Sequence, residues 1–105
     1  MTALGLIVTA RGLILNTPAQ QVVSGGDLTI TFAAQDGDRP FSLELVNNEL
    51  HDKFAIANNI SPSSGSLTVT LPIVPASGGY EFWAVNIRNI NDVFASTASF
   101  TVEDS

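Results

Sequence analysis

The chain has 105 residues, of which 45% are hydrophobic and 13% charged, so it has material for a core and lacks the composition of a disordered segment. Its net charge is −6 with only four Lys and Arg residues, which excludes a basic stripe for nucleic acid or for an anionic membrane surface. It contains no cysteine, so disulfides, thiolate nucleophiles and thiolate metal sites are excluded as well.

The first apolar run, Thr2 to Ala10, has the look of a signal h-region but no basic segment before it. Alternation of Leu4, Leu6 and Val8 predicts a strand over 4–9 instead. Ala10-Arg11-Gly12 permits a kink, and Leu13-Ile14-Leu15 continues extended until Pro18, which cannot donate to a ladder. No run approaches the ~20 apolar residues needed to cross a bilayer as a helix.

Gly25-Gly26 forms a turn that feeds a strand over 27–34, with Leu28, Ile30, Phe32 and Ala34 on one face and Thr29 and Thr31 on the other. Gln35-Asp36-Gly37-Asp38-Arg39-Pro40 predicts a hairpin turn, because Asp-Gly supplies a positive φ. A strand over 41–46 follows with Phe41, Leu43 and Leu45 inward, then a polar loop over 47–52 and a weaker strand over 53–57. Asn58-Asn59 and 61–65 read as loop, and Leu67, Val69 and Leu71 as a half-buried strand.

After a Pro/Gly/Ser connection over 72–79 comes the most aromatic strand, 80–87, then a polar tip over 88–92 and a closing strand over 94–102. Seven to nine short strands without helical periodicity predict a single all-β domain over 1–105, an immunoglobulin- or fibronectin III-like sandwich.

Reactive constellations are sparse. His51 is the single histidine; Asp52 follows it, but the nucleophile elbow of a serine hydrolase is missing. One His and no Cys make a poor metal set, and Asp36-Gly37-Asp38 lacks the alternating ligands of a calcium loop. No cofactor is expected. Glu44 and Glu81 are candidate glycosidase carboxylates that would share an outer face if their strands pair; on an exposed sheet they read as two solvated acids. Asn59-Ile60-Ser61 matches the N-glycosylation pattern, with Pro62 directly after it.

Trp83 carries more weight. Alternation sends Tyr80, Phe82 and Ala84 inward, with Tyr80 placed as in a tyrosine corner. Trp83 then faces outward with Glu81, Val85 and Ile87, joined by Val46 from a neighbouring strand. Such an apolar patch marks a contact surface. Three readings stand: the indole stacks on a sugar, it anchors a dimer, or the N-terminal strand covers it.

Several segments in order resemble the fungal Kre/Knh-like domain. They are Asn16-Thr17-Pro18, Val22-Val23-Ser24-Gly25-Gly26-Asp27-Leu28-Thr29-Ile30-Thr31-Phe32 and Pro40-Phe41-Ser42-Leu43-Glu44-Leu45. They continue with Ile56-Ala57-Asn58, Gly65 to Pro72, Ser77 to Phe82 and Ser96 to Val102, so the resemblance covers roughly 15–102. It implies an immunoglobulin-like sandwich on secreted or surface-anchored fungal proteins, some linked to cell-wall β-1,6-glucan, with no catalytic residues to transfer. Family members usually begin with a signal peptide, many continue into a Ser/Thr-rich tail ending in a lipid-anchor signal, and a Trp is common at the position of Phe32. This sequence displays neither flank, which implies a stand-alone module.

The expectation is therefore a non-enzymatic extracellular or cell-wall recognition module. Its partner would be a cell-wall polysaccharide or a cell-surface protein, with lectin-like or immunomodulatory roles as specific versions. The alternative is a self-associating structural domain or homodimer; a hydrolase ranks last. The ligand or interface candidates are Trp83, Val85, Val46, Glu44, Glu81 and Ile87, with Asn59 as a weak glycosylation candidate.

Overall fold

A computed structural model describes residues 13–35 and 37–104. The expected strand over 4–9 and the kink after it lie outside the described residues. The described residues form nine strands: β1 (Ile14–Leu15), β2 (Val22–Val23), β3 (Asp27–Ala33), β4 (Phe41–Asn47), β5 (Asp52–Ile60), β6 (Ser66–Thr70), β7 (Ser77–Asn86), β8 (Asn89–Ser96) and β9 (Phe100–Glu103). They form two packed sheets. The smaller has the order β1-β3-β6, and the larger β2-β9-β7-β4-β5 with β8 also paired to β7.

Alternation explains the core. On β3, Leu28, Ile30 and Phe32 are buried while Thr29 and Thr31 are exposed. On the facing sheet Phe41, Leu43, Leu45, Tyr80, Phe82, Ala84 and Val102 turn inward. Phe32 meets Phe41 edge-on across the layers, with ring centroids 5.3 Å apart. Tyr80 is fully buried and its hydroxyl donates to the Pro75 carbonyl at 2.6 Å, the tyrosine-corner arrangement expected for this strand.

Several local expectations give way to pairing. The 35–38 turn exists, closed by Asp38 N–H to the Gln35 carbonyl, but it is not a hairpin. The strands it joins, β3 and β4, belong to different sheets, so the turn carries the chain across the sandwich. Asn47 is not loop: it is the buried last residue of β4, where its Oδ1 accepts the N–H groups of Glu49 and Leu50 and its Nδ2 donates to the Gly78 carbonyl. A polar residue belongs inside here because its amide satisfies three backbone groups.

Asn58 and Asn59 are not loop either. They continue β5, and shifts in the β4–β5 register beside them accommodate the positive φ of 54° at Asn59. The expected closing strand over 94–102 is two strands. Thr97 breaks it: its N–H bonds the Phe82 carbonyl and its Oγ1 accepts the Phe82 N–H, both at 3.0 Å. The expected tip over 88–92 shrinks to Ile87 and Arg88, since β8 begins at Asn89, and Ile87 sits in that turn rather than on the sheet.

Candidate functional site

The outer face of the large sheet is set by the β4–β7 register. Glu44 lies opposite Trp83, Val46 opposite Glu81 and Ser42 opposite Val85, so Glu44, Val46, Glu81, Trp83 and Val85 share one face. Ile87 departs from it into the hairpin turn, where it is 42% exposed. On β5, Lys53 pairs with Val46 and Ala55 with Glu44, extending the face outward.

The burial of these residues corrects the sequence reading. Val46 and Val85 are 1% and 0% exposed, so they are not an open apolar patch. Glu44 is 9% exposed and is not a solvated acid, and its Oε1 is buried with no hydrogen-bond partner. Glu81 and Trp83 are half-buried.

The indole is held from two sides. Its Nε1 donates to Glu81 Oε1 at 2.8 Å, while the other Glu81 oxygen accepts from Ser99 at 3.4 Å. The Lys53 ammonium sits 5.1 Å from the ring centroid. Lys53 starts on β5 and Trp83 on β7, so the two side chains meet above β4, which runs between them. Sequence reasoning missed Lys53; its outward register beside Ala55 was the available signal.

The remaining candidates stand apart. His51 is exposed at the β4–β5 turn with φ of 57°. Asn59 is exposed on β5, followed by buried Ile60. The Asp38 carboxylate accepts the Gln35 N–H at 2.8 Å, and Asp36 lies outside the described residues. No cluster of three His, Cys, Asp or Glu side chains suited to a metal occurs among the described residues. None of the described helices is long and apolar enough to cross a membrane.

Two packed sheets, a buried corner tyrosine and crossovers between layers define an immunoglobulin-like β-sandwich. The model of the Kre9/KNH-like N-terminal Ig-like domain matches residues 16–102, and the chain belongs to that family. The family is linked to cell-wall synthesis, and its Ig-like domain is not a known enzyme fold. No curated protein and no solved structure gives a significant match.

Proposed function

We propose that this chain acts as a single non-enzymatic domain outside the cell or in the cell wall, and that the Trp83 face binds a cell-wall glycan. The observation that carries the reading is the buried Glu44 Oε1, which lacks a hydrogen-bond partner among the described residues and lies on the strand directly beside the partly exposed indole. A buried acceptor without a donor costs about 1–3 kcal/mol, and because Oε1 is closed to solvent a ligand hydroxyl supplies the donor once a neighbouring side chain moves aside. The indole adds a flat apolar surface for the C–H face of a sugar ring. Sugars present this combination of hydroxyl donors and apolar faces.

Catalysis fits less well. Glu44 and Glu81 are diagonal neighbours on one face of the β4–β7 pair, the placement two glycosidase carboxylates would need. Yet both Glu81 oxygens are engaged, one by the Trp83 indole and one by the Ser99 hydroxyl. That supports a positioning task for Glu81, which fixes the ring.

The test is calorimetric titration of the intact chain with β-glucan oligosaccharides, following a glycan-array screen. Trp83→Ala and Glu44→Gln should each weaken binding at least tenfold while the circular dichroism spectrum stays unchanged. Absence of binding to every glycan, or binding by both variants equal to that of the wild type, rejects the reading. Sedimentation in the same samples addresses self-association through this face, and a protein partner on another cell then becomes the reading to pursue.

A further inference from the structure

A second site lies at one end of the large sheet, away from Trp83. Phe41 opens β4 and pairs with Asn86, which closes β7. Because the strands are antiparallel, the residues just before Phe41 and just after Asn86 leave the sheet at the same end. Pro40 and Ile87 occupy those positions, and Arg39 and Arg88 come one residue further out. With Pro40, Asn86 and Ile87 they line a cleft of about 220 Å³.

This placement concentrates charge. The chain has four basic side chains against ten acidic ones, and two of the four share this cleft. Both are exposed, and among the described residues neither guanidinium has an ion pair or hydrogen bond. The nearby acids make bonds to other groups, Asp92 to a residue of the cleft itself. Asp92 accepts from Asn86 Nδ2 at 3.2 Å, and Asp38 from the Gln35 N–H.

The backbones that carry the arginines are also fixed. Pro40 restricts Arg39 to extended conformations. Asn86 Oδ1 accepts the Arg88 N–H at 2.9 Å, which locks the start of the hairpin turn. Two planar forks on fixed backbone, both lining one cleft, suit a group with two or more anionic oxygens.

We propose that the Arg39–Arg88 cleft is an oxyanion site that takes the carboxylate or phosphate group of an anionic ligand. The site stands independently of the Trp83 face. Acting against a net charge of −6, the pair binds small anions in the millimolar range and gains affinity when the anion is part of a larger ligand that also covers Ile87.

The experiment is a ¹H–¹⁵N NMR titration of the full chain at low ionic strength with inorganic phosphate and, separately, with glucuronate, using sodium chloride as control. Expected are saturable shifts centred on Arg39, Asn86, Ile87 and Arg88 with at least one of the two anions. Whichever anion saturates identifies phosphate or carboxylate as the natural group. Arg39→Gln and Arg88→Gln should each weaken the response fivefold or more, and Lys53→Gln should leave it unchanged. Both arginines are exposed, so the variants keep the fold, and their spectra report this directly. Shifts absent with both anions, matched by chloride, or undiminished in Arg88→Gln overturn the proposal.

Discussion

Glu44 shows how one side chain can be placed against its own stability. Its Oε1 is buried without a partner beside Trp83. Glu44→Met keeps similar bulk and removes the orphaned acceptor, so it should raise unfolding free energy by about 1 kcal/mol. Chemical denaturation measures this, and a loss of stability would show that the carboxylate is satisfied in solution. Tyr80 is the opposite case, a buried polar group with its bond made. Burial chiefly, and then the charge of Asp52, push its hydroxyl above the ordinary phenol range, with the Asn47 side chain opposing. The sign follows from linkage: the unfolded phenol ionises first, near pH 10, so stability is intact below that pH and falls as pH rises through the folded value. Tyr80→Phe should cost about 1 kcal/mol at neutral pH and flatten that alkaline decline, as pH-dependent melts would record.

Individual strands were legible where one face is wet. Leu28-Thr29-Ile30-Thr31-Phe32 alternates cleanly because β3 has water on its outer side. β4 was legible by its inward Phe41, Leu43 and Leu45, but the burial of Glu44, Val46 and Asn47 on it was not. Boundaries failed where a side chain substitutes for backbone, as Thr97 does between β8 and β9. Ser24 ties distant segments in the same manner. Its buried Oγ donates to the Val74 carbonyl at 2.9 Å and accepts the Val74 N–H at 2.8 Å, joining the turn after β2 to the β6–β7 connection. Ser24→Ala strands both Val74 groups in the core and should cost about 2–3 kcal/mol. A denaturation midpoint within error of wild type would refute this latch.

Across the molecule, most ladders join remote stretches of chain. β2 pairs in parallel with β9, Val22 against Val102, and β3 pairs with β6 across the intervening hairpin of β4 and β5. Among the described residues, only β4–β5 and β7–β8 are hairpins of consecutive strands within one sheet. Loop-closure entropy must be met before these contacts form, so refolding should take milliseconds to seconds. Stopped-flow tryptophan fluorescence reads this directly, since Trp83 is the single indole. Refolding complete within microseconds would be incompatible with this topology.

Period-two alternation, turn residues and the order of motifs sufficed for an all-β sandwich, its core faces, the corner tyrosine and the family. Those are local properties, written within a few residues of one another. Pairing between strands far apart in the chain settled the rest. It set Glu44 beside Trp83 and buried it, brought Lys53 over the indole, and carried Arg39 and Arg88 to one end of the sheet. Alternation says which way a side chain points from its strand; it carries no information on which strand lies alongside, and the chemistry of both sites depends on that neighbour.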